Sequence, residues 1–281
     1  MPRERIFILT LLAMVAFAGN SLLCRLALKN ASIDPATFTF ARVFSGALAL
    51  WLIVKMRPGT RRVAGSWRSA LALFAYASGF SFAYVSLQAG PGALLLFGAV
   101  QATMIGYGLW TGEHLSIWQW AGLLLALAGL IGLVLPGLSA PPLQSSLLML
   151  GAGVAWGIYS LRGRSSSDPI STTAGNFLRA VPFAVVLSLF THRGFSFDRS
   201  GMGYAILSGA LTSGCGYAIW YTALKGLKAT SAATVQLSVP VIAALGGIAF
   251  LDEPITQRLL ISSTAILGGI ALTIAKKRTV K

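Results

Sequence analysis

Charge is scarce in this chain, and acid is scarcest. Asp and Glu number 7 against 22 Lys and Arg, giving a net charge of +15 over 281 residues, only 10% of them charged. With 56% hydrophobic residues and a mean hydropathy of +0.75, the chain has more apolar surface than a globule of this size can bury, so it is read as a membrane protein. The seven acids are Glu4, Asp34, Glu113, Asp168, Asp198, Asp252 and Glu253, and all stand at the ends of apolar runs or between them. None sits at mid-membrane depth, where a proton- or sodium-carrying carboxylate is usually found. Two cysteines, Cys24 and Cys215, make neither a disulfide framework nor a CxxC metal site. The two histidines, His114 and His192, lie near membrane surfaces. No nucleophile with a base, paired carboxylates or metal cluster emerges, and neither does the polar ring or filter loop of a channel. No cofactor or metal is expected.

What the chain does have is long apolar runs. Ser69 to Gly112 is 44 residues without a charge and His114 to Leu161 is 48, each long enough for two spans of about 20 residues. The run after MPRERI exceeds the core of a signal peptide, and Leu23 is too large for a lipoprotein cleavage site before Cys24, so it is the first span. The remaining runs bring the total to ten helices, near 5–28, 34–55, 68–89, 91–112, 116–136, 143–162, 169–191, 199–223, 228–251 and 255–275, with a turn expected at Gly90-Pro91-Gly92. Asp34-Pro35 and Asp168-Pro169 give helices 2 and 7 an acid N-cap followed by an N1 proline.

The stretch 100–134 recurs at 240–274, so that Glu113 falls on Glu253 and Gly129 on Gly269. A repeat of half the chain length implies two like units, 1–138 and 139–281. Five helices per unit is odd, so the second enters the membrane upside down. The fold expected is all-α: ten transmembrane helices as two inverted five-helix repeats around a central cavity. With the N-terminus inside, inner segments carry 15 Lys and Arg and outer ones 5, which places both termini in the cytoplasm. The basic residues thus act as orientation signals, and nucleic acid is not a partner.

The five-plus-five duplication, Thr39-Phe40-Ala41-Arg42 in helix 2 with Asn176-Phe177-Leu178-Arg179 in helix 7, and Pro240 thirteen residues before Glu253 resemble the EamA-type, ten-helix members of the drug/metabolite transporter superfamily. Within it the chain looks most similar to bacterial amino-acid exporters, including the aromatic type. Val100 stands where the family has a proline in the first half. The resemblance implies a bacterial inner-membrane transporter, functional as a monomer, that moves small metabolites by alternating access. It implies a cavity among helices 1–4 and 6–9, with 5 and 10 peripheral. Drugs, sugars or nucleotide-sugars are alternative cargoes, and an intramembrane enzyme or channel is the weaker reading.

Candidate cavity residues follow. Tyr76, Phe80 and Tyr84 share one face of helix 3; Trp156 and Tyr159 lie on helix 6, and Tyr217 and Tyr221 on helix 8. Asn20, Gln101 and Asn176 add hydrogen-bonding capacity. Arg42 and Arg179 need water, carbonyls or an acid as partner; a strut to neighbouring helix ends is weighed slightly above contact with a substrate carboxylate. Glu113 and Glu253 are read as solvated helix-end acids, refined by an interfacial ion pair, with gating as the alternative. Pro182 and Pro240 are hinge candidates or fixed kinks. Gly122/Ala126, Ala128/Gly132, Ala243/Gly247 and Ala265/Gly269 are small pairs suited to close helix packing.

Overall fold

The computed structural model describes residues 2–30, 33–57, 63–112, 114–137, 140–163, 166–191, 198–224, 226–227 and 235–275. Glu113 and His192 lie outside them. Among the described residues there are ten helices and no strand: α1 (Arg3–Asn30), α2 (Pro35–Lys55), α3 (Trp67–Tyr84), α4 (Ala89–Trp110), α5 (Ile117–Val134), α6 (Leu143–Gly163), α7 (Pro169–Phe190), α8, α9 (Ser238–Leu251) and α10 (Gln257–Ala275). Helix α8 is composite, with α-helical turns over Arg199–Ile206 and Gly216–Leu224 and a π-helical middle over Leu207–Cys215. Six helices are long and apolar enough to cross a membrane: α1, α2, α4, α5, α7 and α10. The others fall short because α3, α6 and α8 carry polar and aromatic residues, and α9 counts only 14 described residues.

Helices α2 and α7 start where their Asp-Pro pairs place them, and the Asp34 and Asp168 side chains accept backbone N–H groups of the first turn. The Gly90-Pro91-Gly92 expectation is corrected. Helix α3 ends at Tyr84, the turn follows, and all three residues belong to α4. Pro91 is tolerated because the first helical turn needs no N–H from it. Gly92 is required there, since a Cβ would run into the Tyr84 ring. Pro240 likewise stands in the first turn of α9, while Pro182 is inside α7.

Helix directions can be read from their contacts. Gln119 of α5 bonds the Thr273 carbonyl of α10 at 3.1 Å, Gly122 faces Gly269, and Gly129 faces Ala265, so α5 and α10 run antiparallel. Helices α2 and α7 are also antiparallel, through Ala36–Ser188, Gly46–Phe177 and Arg57–Asp168. So are α4 and α9, through Gly90–Ala244 and Ala89–Gly247. The antiparallel pair α3–α6 (Ser69–Arg162, Ser86–Ser145) has a counterpart in α1–α8 (Ala16–Gly216, Asn20–Ser208). The parallel pair α4–α6 (Leu96–Gly153, Thr103–Gly157) has one in α1–α9 (Leu22–Gly246, Arg25–Glu253).

The bundle therefore has two ends, one holding the starts of α1, α3, α5 and α7 (the terminal end) and one opposite (the far end). Trp51, Trp67, Tyr107, Trp110, Trp118 and Trp120 are all exposed toward the terminal end, the arrangement of an interfacial aromatic belt. Between the ends, exposed apolar side chains such as Phe7, Leu11, Leu124 and Ile131 form an apolar outer surface.

Candidate functional site

Helices α1, α3, α4, α6 and α8 meet around a central cavity lined by Phe17, Asn20, Ser21, Tyr76, Phe80, Leu96, Phe97, Trp156, Thr212 and Tyr217. Its free volume is about 20 Å3, room for roughly one water. Aromatic rings fill the rest. Trp156 packs on Tyr76 (4.8 Å between centroids), Tyr217 (5.1 Å) and Tyr159 (5.3 Å), and Phe17 meets Tyr217 edge-on at 5.8 Å. A cavity so filled admits a metabolite only when the helices or rings move.

Polar groups join four helices at its wall. Ser208 donates to Asn20 Oδ1 at 2.6 Å, with Thr212 at 3.4 Å. Asn20 Nδ2 donates to the Tyr76 hydroxyl oxygen at 3.2 Å, and Arg42 Nη2 donates to that same oxygen at 2.9 Å. Arg42 is 2% exposed. Glycine brings this wall together: at Gly209 of α8 a Cβ would overlap the Ser45 hydroxyl and the Arg42 carbonyl of α2. The π-helical turns of α8, an uncommon geometry often found at functional sites, cover this contact.

Of the sequence candidates, Asn20, Tyr76, Phe80, Trp156 and Tyr217 line the cavity. Tyr84 lies one turn beyond Phe80, edge-on at 4.7 Å, and donates to the Ala89 carbonyl at 3.3 Å. Tyr159 is stacked behind Trp156 and accepts from Asn176 at 3.4 Å. Asn176 also accepts the Ser66 N–H at 2.9 Å, below the cavity. Gln101 is buried on α4 and Tyr221 packs near the terminal end, both away from the lining. Arg179 is the strut: it donates to the Ala64 and Gly175 carbonyls at 2.8 and 2.9 Å. Phe17, Ser21, Leu96, Phe97 and Thr212 were not singled out from the sequence; Phe17 sits about one helical turn before Asn20 and Ser21 directly after it.

Polar contacts among the described residues cross both ends of the bundle. At the far end, Arg25 and Glu253 form an ion pair at 3.2 Å. Arg25 also donates to the Tyr84 and Val85 carbonyls at 3.0 and 2.9 Å, and Glu253 accepts the Ala89 N–H at 2.8 Å. Glu253 is 7% exposed, so it is an ion-paired acid, as the refinement of its reading had it, but a buried rather than a solvated one. Asp252 adopts a left-handed conformation (φ 51°), ending α9 so that the next side chain turns back into the bundle, into space left by Gly247.

At the terminal end, residues 63–66 lie across α7, held by Arg179 and Asn176 and by Ala64 N–H to Ser171. Arg162 donates to Ser69 at 3.0 Å, and Arg57 pairs with Asp168 at 2.9 Å, both partners about one-third exposed. Partial burial pushes the Asp168 carboxyl up, but the Arg57 hydrogen bond and the Ser171 N–H outweigh it and hold it below its ordinary value. A lowered carboxyl contributes stability above its unfolded pKa of about 3.9, lost as pH falls through the folded value. Being solvent-screened, the pair contributes less than about 1 kcal/mol. Arg57→Ala should therefore lower the thermal midpoint at pH 7 only slightly and raise the pH at which Asp168 titrates, as followed by NMR of labelled aspartate. A large loss of stability would contradict this weak role.

The model of the EamA-like transporter family matches this chain twice, over residues 5–135 and 143–275. An uncharacterized protein of Pseudomonas aeruginosa is 56% identical over 279 residues, covering 99% of this chain and 97% of that one. The threonine/homoserine exporter RhtA of Escherichia coli is 27% identical over 300 residues, covering 100% of this chain and 96% of its own. A protein of known crystal structure shares the fold at a TM-score of 0.69 with 16% identity, over 99% of this chain and 100% of that one. With apolar helices, an aromatic belt, an internal cavity and a family match across both halves, this chain belongs to the EamA-like transporter family of membrane proteins.

Proposed function

We propose that the protein exports amino acids, aromatic ones included, and related small metabolites across a bacterial inner membrane by alternating access. The observation that carries this reading is the central cavity between helices of both halves, where the polar side chains Asn20, Ser21 and Thr212 stand among aromatic rings. Two inverted repeats, 1–138 and 139–281, would exchange conformations so that first one end and then the other opens. The pairing of helices supports that symmetry. Exchanging the halves turns α1–α8 into α6–α3 and α1–α9 into α6–α4, while α2–α7, α4–α9 and α5–α10 map onto themselves.

Substrate class is supported by the exporter RhtA, aligned over the whole chain. A nucleotide-sugar would need several cations, and Arg42 alone among the described residues reaches the cavity wall. With both termini cytoplasmic, as the loop charges indicate, the far end faces the periplasm. Pro182, inside α7, and Pro240, beside the start of α9, are placed to act as hinges.

Everted membrane vesicles containing the protein should accumulate labelled threonine or phenylalanine saturably. Tyr76→Ala and Trp156→Ala should alter the preference between the two. Vesicles that accumulate no amino acid above an empty-vector control would overturn the reading.

A further inference from the structure

Arg42 poses an electrostatic problem. It is buried near the centre of the bundle, and neither ion pair among the described residues includes it. Its Nη2 has one hydrogen bond, to Tyr76, and its Nη1 has no partner among the described residues. Its guanidinium carbon lies 5.1 Å from the Tyr76 ring centroid and 4.7 Å from that of Phe80. Aromatic faces stabilise a cation without neutralising it, so the positive field remains and acts on whatever enters the cavity.

The field reaches the cavity through Tyr76. Its hydroxyl oxygen accepts from Arg42 and from Asn20, which uses both of its acceptor positions. Its own proton has no acceptor among the described residues, and Tyr76 lines the cavity. Asn20 is oriented by Ser208 and Thr212, whose hydroxyls hold its oxygen and turn its amide toward the phenol. A phenol accepting two hydrogen bonds, one from a cation, is a strengthened donor. An anionic oxygen is its matching acceptor.

Resting on the amino-acid reading above, we infer that the Tyr76 hydroxyl, backed by Arg42 and Asn20, is the subsite that receives the substrate's carboxylate. The face of Trp156, which packs on both Tyr76 and Tyr217, takes the ammonium group. The cargo is thus a zwitterion or a monoanion. Amines and amides lacking the carboxylate offer the Tyr76 hydroxyl no anionic acceptor and are disfavoured.

The test compares threonine with threoninamide in proteoliposomes of wild type and Tyr76→Phe. The phenylalanine keeps the ring beside Arg42 and Trp156 and deletes only the hydroxyl. Wild type should prefer threonine by about tenfold or more, and Tyr76→Phe should lose most of that preference through KM. A wild type that carries the amide as well as the acid, or a Tyr76→Phe variant that keeps the wild-type preference, overturns the subsite and leaves amino-acid export standing. If wild type moves neither these nor any other amino acid, export falls and the subsite with it. Arg42→Lys is a second probe: it retains the charge without the planar fork, and the same preference should shrink in it.

Discussion

Replacing Glu253 by alanine is expected to destabilise the protein by about 3–5 kcal/mol, the usual consequence of removing one partner of a buried ion pair. Two attachments fail together. Arg25 keeps its bonds to the Tyr84 and Val85 carbonyls but loses its counter-charge, and the Ala89 N–H at the start of α4 loses its acceptor. These contacts tie α1, the α3–α4 turn and the end of α9 into one plug at the far end. A cysteine at Ser21, in a background lacking Cys24 and Cys215, should become more reactive to a membrane-impermeant maleimide applied from the far side. The double variant Arg25→Met/Glu253→Leu should recover most of the lost stability, because an apolar pair has no charge left to compensate. If Glu253→Ala matches wild type in both thermal midpoint and labelling, the plug is not held by this pair.

Gly209→Ala is expected to be almost as damaging, although it adds one methyl group. The new Cβ would overlap the Arg42 carbonyl and the Ser45 hydroxyl, and a backbone carbonyl in mid-helix cannot step aside. Helices α2 and α8 would have to separate, at a cost of about 1–3 kcal/mol or more for an overpacked contact. The separation would displace the backbone that positions Arg42 and Ser208. Purified Gly209→Ala should lose several degrees of thermal midpoint and most of its transport. Gly203→Ala, six residues earlier on the same helix with open space around it, should match wild type. Equal behaviour of the two variants would mean that the α2–α8 approach is not close.

Helix number and order were legible in the sequence because lipid imposes length and charge exclusion on every span. The starts of α2 and α7 were legible because an acid and a proline do specific backbone work there. Gly90-Pro91-Gly92 misled because glycine and proline are read as breakers, whereas in a first turn proline lacks nothing and Gly92 answers the Tyr84 ring. The π-helical turns of α8 could not be read, since they accompany its contact with α2 rather than any local propensity. Aromatic residues on helices 3, 6 and 8 exposed four of the ten lining residues. Phe17, Leu96 and Phe97 were hidden among 56% hydrophobic residues, where facing a cavity and facing lipid look alike. The Arg25–Glu253 pair was hidden by its separation of 228 residues.

The central claim, that one central cavity opens alternately to the two ends, is tested most directly by counterflow. Proteoliposomes loaded with unlabelled threonine and diluted into trace labelled threonine should show a transient, saturable overshoot, with the pH gradient collapsed, because no acid lines the cavity among the described residues. Locking the far end with a cross-link between cysteines at Arg25 and Glu253 should abolish the overshoot. Flux that rises linearly without saturation, or an overshoot that survives the cross-link, would contradict alternating access.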